Sequence, residues 1–175
     1  MIVCAGGIEN FGFAKPVGIG LVDVAINLTK ICLFDKPDYI LFVGTAGSYG
    51  EFDIYDIVNS STATNIELGY FENRCYTPIN NTIKATNNKI TSETIVNSSN
   101  YITIDDKFSQ DCIKHGIGIE NMEFYSVVKT ANFFDIPVGG VFIVTNYTNK
   151  NAKNDFQANH KQAMLTISKY LQNNK

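Results

Sequence analysis

The feature that most restricts this chain is a continuously apolar pentapeptide, Tyr39-Ile40-Leu41-Phe42-Val43, that runs directly into Gly44-Thr45-Ala46-Gly47-Ser48-Tyr49-Gly50. An apolar run without alternation reads as a strand covered on both faces, which requires a layer above it and a layer below. The glycine-rich heptapeptide reads as a loop at that strand's carboxyl end. The flanking sequence supplies the layers. Leu21, Val24, Ala25, Leu28, Ile31 and Cys32 recur at three- and four-residue steps, the mark of an amphipathic helix, which Lys36-Pro37-Asp38 ends. Residues 1–5 form a short strand stopped by Gly6-Gly7, and residues 13–17 a second run leading into Gly18-Ile19-Gly20. Gly116-Ile117-Gly118-Ile119 then precedes a helix marked by Met122, Tyr125, Val128, Asn132 and Phe133 and closed by Asp135-Ile136-Pro137. Residues 138–144 read as another strand, and residues 154–171 as a last helix with Phe156, Ala163, Met164, Ile167 and Leu171 on one face. This alternation predicts an α/β fold: three layers, a mostly parallel mixed sheet flanked by helices. With 175 residues, 45% hydrophobic and 18% charged, the chain supports one sizeable core, hence a single domain over residues 1–175.

Between residues 51 and 111 the pattern is less regular. β-prone pieces at 54–58, 66–71 and 101–104 are separated by Asn, Ser and Thr clusters, and Asp105-Asp106-Lys107 and residues 149–154 read as solvated loops. Composition excludes several classes of function. Fourteen basic against seventeen acidic residues give a net charge of -3, which argues against a nucleic-acid partner. No apolar run approaches the roughly 20 residues of a membrane span, and the opening residues lack the basic flank and long apolar stretch of a signal peptide. A cytoplasmic location is therefore expected. Cys4, Cys32, Cys75 and Cys112 show no ligand spacing and read as free thiols, Cys4 and Cys32 in the core. His115 and His160 read as surface or packing residues, so no metal site is expected. Arg74 is the single arginine, which limits bidentate anion recognition to one position.

In a parallel sheet, ligands bind beyond the carboxyl ends of strands, where loops and helix amino termini offer free N–H groups. Residues 6–10, 44–50, 120–125 and 145–149 occupy such positions. A dinucleotide binder could use Gly6-Gly7 or Gly18-Ile19-Gly20. Position 23 is Asp, so neither completes G-x-G-x-x-G, and this reading ranks last.

Three segments together resemble the nucleoside phosphorylase superfamily, which includes purine nucleoside phosphorylases and the nucleosidases acting on methylthioadenosine, S-adenosylhomocysteine and futalosine. Residues 37–47 resemble its strand and G-[ST]-[AC]-G loop; Asn121-Met122-Glu123 resembles its Met-Glu segment; Ile143-Val144-Thr145-Asn146 resembles its Ser-Asp segment. The resemblance implies cleavage of the N-ribosidic bond of a purine nucleoside. Glu123 would bind the ribose hydroxyls and Met122 would pack on the sugar. Gly44, Thr45, Ala46 and Gly47, with Gly20, would form the phosphate or water site. Asn146, Asn121, Ile95 and Tyr101 would surround the base. Ile95 stands where the family offers a Phe to stack on the base, with Tyr101 as the substitute.

The departures from the family pattern shape the expectation. Nucleosidases and hexameric phosphorylases place an aspartate where Asn146 stands. An amide donates and accepts hydrogen bonds but supplies no proton as a general acid. The trimeric branch uses asparagine there and favours 6-oxopurines, so a 6-oxopurine nucleoside is expected here. The arginine that phosphorylases place before the glycine loop is absent, since Phe42 and Val43 stand there. Phosphate as co-substrate would rest on the amides of residues 44–48, and water is the alternative acceptor, with Glu9 as its base. No cofactor is expected beyond inorganic phosphate. The chain is short for the family, and a homodimer or larger homo-oligomer would complete the pocket. The alternative is a catalytically degenerate nucleoside-binding protein of the same fold.

Overall fold

The computed structural model describes residues 1–173. Its first elements follow from the short apolar runs: β1 (Ile2–Cys4), a two-residue edge strand β2 (Lys15–Pro16), α1 (Gly20–Phe34) and the long strand β3 (Ile40–Ser48). Four short strands come next, β4 (Ile57–Ser60), β5 (Thr62–Thr64), β6 (Thr82–Lys84) and β7 (Ile95–Asn97). The chain then runs through α2 (Asp106–Lys114), β8 (Ile117–Glu120), α3 (Phe124–Phe133), β9 (Val138–Tyr147) and α4 (Ala152–Asn173). The strands form one mixed sheet in the order β2-β1-β3-β8-β7-β5-β6, with β9 pairing both β3 and β4. Parallel pairings predominate, as expected: β1 with β2 and β3, β3 with β9, and β7 with β5 and β8.

The pleat explains why β3 and β9 read as unbroken apolar runs. Successive side chains point to opposite faces, and both faces are covered. Phe42, Ala46, Phe142 and Val144 join α1 and α3 in the larger core. Val43, Val141 and Ile143 join Ala163 and Ile167 of α4 in a second core on the other face. The rings of Phe42, Phe124 and Phe142 meet at centroid separations of 5.0 to 6.2 Å and lock α3 onto the sheet.

Residues 44–48 depart from the expected loop. They continue β3, pairing in register with residues 142–147 of β9 across a shift between Ala46 and Gly47. Two glycines serve close approach here rather than a turn. A Cβ at Gly44 would lie 2.9 Å from the Phe42 ring and 3.2 Å from Glu9 Oε2, and one at Gly47 would lie 3.0 Å from Asn146 Nδ2.

Three further differences arise in the irregular middle. Residues 66–71 form turns instead of a strand, because the Asn97 side chain takes both the N–H (2.9 Å) and the C=O (3.1 Å) of Ile66. Residues 101–104 are an irregular strap whose Thr103 N–H donates to Glu120 Oε1. Residues 105–107, expected as solvated loop, begin α2: Asp105 accepts from Phe108 N–H at 2.8 Å and caps the helix.

Gly44→Ala is expected to lower stability by about 1–3 kcal/mol, the usual cost of overpacking, seen as a lower melting temperature. Melting unchanged from wild type would contradict the close packing described at this glycine.

Candidate active site

The site begins as a backbone problem. On one edge, β3 pairs with β1 only at Leu41 and Phe42 and with β8 only at Gly47 and Ser48. The edge between them is bare, and Thr45 presents its N–H and C=O there with no strand to take them. Side chains fill the gap. Glu9 Oε2 accepts from Thr45 N–H at 3.1 Å and Glu9 Oε1 from the Thr45 hydroxyl, while Asn121 Nδ2 donates to Thr45 C=O at 3.0 Å. Glu9 reaches this position because the chain turns sharply after β1, with Glu9 N–H bonded to Gly6 C=O at 3.0 Å.

Asn121 also shapes its own neighbourhood. Its Oδ1 accepts from the N–H groups of Glu123 and Phe124, each at 3.1 Å, at the amino terminus of α3. Both ends of the amide are thus engaged by backbone, which fixes Asn121 and with it Glu123, and one Nδ2 hydrogen is left at the cavity. Glu123 Oε1 accepts from Gly20 N–H at 2.9 Å, which ties α3 to the start of α1.

Beside these groups lies a cavity of about 530 Å³. Of the residues singled out by sequence, Glu9, Thr45, Ala46, Gly47, Tyr101, Asn121, Met122, Glu123 and Asn146 all line it. Gly20 and Gly44 stand behind the wall, Gly20 bonded to Glu123 and Gly44 beneath Glu9 and Asn121. Ile95 is not at the cavity. It starts β7 and packs in the cluster of Tyr49, Ile66, Phe108, Cys112 and Ile117. The substitute, Tyr101, occupies the rim at 77% exposure. Arg74 also lies outside the cavity, exposed and paired with Glu72 at 2.8 Å.

Phe156 and Glu120 are among the lining residues that the sequence did not single out. Phe156, read as part of a helix's core stripe, lines the cavity instead, because α4 begins at Ala152 and carries its first turns over the site. Glu120 is a buried carboxylate at the end of an otherwise apolar strand, and that incongruity was the available signal.

The cavity is electrostatically unusual. Burial raises the carboxyl groups of Glu9 and Glu120 above the ordinary range, against opposing hydrogen bonds. Burial pushes Glu123 up to about 7; the nearby Glu9 charge adds to the push, and the Gly20 N–H opposes it. The cation at the cavity is Lys153, which is exposed. Asn146 is buried, with Oδ1 accepting from the Thr145 hydroxyl at 2.8 Å and Nδ2 donating to Tyr147 C=O at 3.2 Å. One amide hydrogen and one carbonyl lone pair remain for a ligand. Among the described residues, no group of three or more His, Cys, Asp or Glu side chains is placed to hold a metal. No helix there is long and apolar enough to cross a membrane.

No protein-family model matches the sequence, and no curated protein matches it. Solved structures do match. The chain is similar to the Helicobacter pylori 5'-methylthioadenosine/S-adenosylhomocysteine nucleosidase complexed with a substituted pyrrolidin-3-ol: TM-score 0.81, 15% identity, 98% of this chain and 95% of that one covered. It is similar to the futalosine hydrolase of the same organism: TM-score 0.80, 16% identity, 98% and 94% covered. It also resembles the Neisseria meningitidis nucleosidase in complex with methylthio-immucillin-A: TM-score 0.76, 14% identity, 94% and 93% covered. The fold implied by the sequence resemblance is therefore the fold found, the α/β fold of these nucleosidases.

The Glu123 carboxyl makes stability depend on pH. A carboxyl whose folded pKa stands near 7, above its ordinary 4.5, holds its proton more tightly in the folded state. Its stabilising contribution is complete below about pH 4.5 and is lost as pH rises through about 7. Glu123→Gln, which keeps the acceptor for Gly20, should therefore be more stable than wild type at pH 8, by as much as about 3 kcal/mol, and nearly equal to it at pH 4. Thermal melts of both proteins across this range check it. Parallel curves would contradict the assignment.

Proposed function

We propose that this chain is a nucleosidase: it hydrolyses the N-ribosidic bond of purine ribonucleosides, with water as acceptor. The observation that carries this reading is Glu9, whose carboxylate takes both donors of Thr45 within the cavity that Glu123 and Asn146 share. Those are the donors a phosphate would have used, so an anion placed there would meet a carboxylate instead. The same carboxylate is a suitable base for water, since burial moves its pKa toward the working range. The fold neighbours add support, being two nucleosidases and a futalosine hydrolase by name, one of them in complex with methylthio-immucillin-A.

Bond cleavage would proceed as follows. Glu123, ionised above its pKa of about 7, accepts hydrogen bonds from the 2'- and 3'-hydroxyls, and Met122 packs against the sugar. As the bond to the base lengthens, positive charge develops on the ribose, and the carboxylates of Glu9 and Glu123 stabilise it in a cavity with little counter-charge. Tyr101 and Phe156 offer ring faces to base and sugar. The free amide hydrogen and carbonyl lone pair of Asn146 can meet O6 and N1–H of a 6-oxopurine, the base we propose, and the nucleoside panel below separates this from adenine, whose N7 and N6–H could meet the same pair. Inorganic phosphate is the alternative acceptor that the test below distinguishes.

Surface and thiols support a reading of assembly and location. Val22, Ile26, Leu33 and Phe34 of α1 and Phe133 of α3 are exposed, and Ile8, Ile19, Ile102 and Ile104 are exposed around the cavity mouth. This much apolar surface supports a homodimer, the second copy covering the cavity rim, and sedimentation should give a mass above that of one chain. Cys4, Cys32, Cys75 and Cys112 are all free, which suits the reducing cytoplasm.

Purine release should be measured over a panel of nucleosides with and without phosphate. Release independent of phosphate is expected, fastest for inosine or guanosine. Glu9→Gln should lower kcat by about 100-fold or more with a smaller change in KM. Release that requires phosphate would overturn the hydrolase reading, and saturable nucleoside binding with no release would identify a binding protein.

A further inference from the structure

Glu120 has no part in the scheme above, yet it lines the same cavity. It sits one residue before the Asn121-Met122-Glu123 segment, at the end of β8, where it pairs with Gly47 of β3. A Cβ at Gly47 would lie 3.0 Å from Asn146 Nδ2 and 3.3 Å from Glu120 Cγ, so the amide and the carboxyl-bearing side chain flank one point of the wall. The missing side chain of Gly47 leaves room for both.

We infer that Glu120 is the general acid of this site, giving its proton to a ring nitrogen of the departing purine while Asn146 holds the edge of the base. The inference rests on the nucleosidase reading and answers the question that reading leaves open, where the leaving group's proton comes from, given that Asn146 has none to give.

The hydrogen bonds of Glu120 suit this role. Thr103 N–H donates to Oε1 at 3.0 Å and the Tyr49 hydroxyl donates to Oε2 at 3.0 Å. Asn97 Nδ2 donates to the Tyr49 oxygen at 3.1 Å, which aims the phenolic hydrogen at Glu120. The Thr103 hydroxyl is a further side-chain partner of the carboxyl. The proton on Glu120 can turn to a ligand in the cavity, and once it is given up the Thr103 and Tyr49 donors stabilise the carboxylate that remains. Burial favours the protonated form before reaction.

The step balances. The N-ribosidic bond breaks with its electron pair going to the purine. The Glu120 proton neutralises that pair and leaves Glu120 as carboxylate. Water adds to the ribosyl carbon and loses a proton to Glu9. Proton exchange with solvent returns Glu9 and Glu120 to their starting states.

The test compares two leaving groups in the full chain. A purine nucleoside needs the proton, whereas para-nitrophenyl riboside, whose phenolate departs unaided, does not. Glu120→Gln should slow purine release by about 100-fold or more while changing nitrophenol release by no more than about threefold. Equal losses on both substrates, in a variant that melts with wild type, would assign Glu120 a purely structural role and overturn the proposal. So would an undiminished purine rate, or a large rise in purine release on Asn146→Asp with no effect of Glu120→Gln. Should Glu120→Gln melt early, Tyr49→Phe serves instead. Removing one donor from the carboxylate should slow purine release selectively, and a loss shared equally by both substrates would again overturn the assignment. Wild type that cleaves neither substrate would defeat the nucleosidase reading itself. A selective loss supports both readings, and a non-selective one defeats this inference alone.

Discussion

The structure turns on the unpaired stretch of β3 between the end of β1 and the start of β8. A buried peptide unit without partners costs about as much as a lost hydrogen bond, so something must meet the N–H and C=O of Thr45. No strand does. Glu9 and Asn121 fill the gap from two distant parts of the sequence, and in doing so bring their functional atoms to the same wall. The site is the means by which an interrupted sheet satisfies its backbone. Gly44 and Gly47 belong to the same solution, because any side chain on them would occupy the space of Glu9, Asn146 or Glu120.

This arrangement concentrates unfavourable electrostatics. Three carboxyl groups, those of Glu9, Glu120 and Glu123, are raised by burial, with Lys153 as the one cation at the cavity among the described residues. Each is partly compensated by donors: the Thr45 N–H and hydroxyl, the Thr103 N–H and Tyr49 hydroxyl, and the Gly20 N–H. The donors fix geometry as much as they offset desolvation. A ligand that brings positive charge, or hydroxyls able to donate, relieves what the protein alone leaves strained, and an anion aggravates it.

Much of this was legible in the sequence where side-chain periodicity and covered faces agree. The runs at β3 and β9 and the helical stripes of α1, α3 and α4 are strong signals because burial on both faces leaves no room for polar residues. Glu123 and Asn146 were picked out by the resemblance of their segments to a known family, within strand-end stretches already offered as places for a ligand. The glycines of β3 misled, because small residues that admit neighbours look the same in sequence as small residues that make a turn. Ile95 was placed at the base by resemblance alone, and at the start of β7 it packs instead into the Phe108 cluster. Segment 66–71 looked like a strand because its residues favour one; the Asn97 side chain, far away in sequence, took the backbone groups a strand would need. Asp105, capping α2, lay in a stretch where charged residues masked the helix.

The place of β9 has a consequence for how the molecule comes to exist. It lies between β3 and β4, and among the described residues it is the sheet partner through which β4 joins. During synthesis, β3 and β4 therefore emerge long before the segment that stands between them, and each must wait with an open edge. Closure of the sheet is deferred until β9 is out, which favours slow, concerted assembly over stepwise growth from the amino terminus. A ribosome-bound fragment ending before β9 would thus carry Glu9 and Glu123 without the amide that shares their cavity, together with two open strand borders.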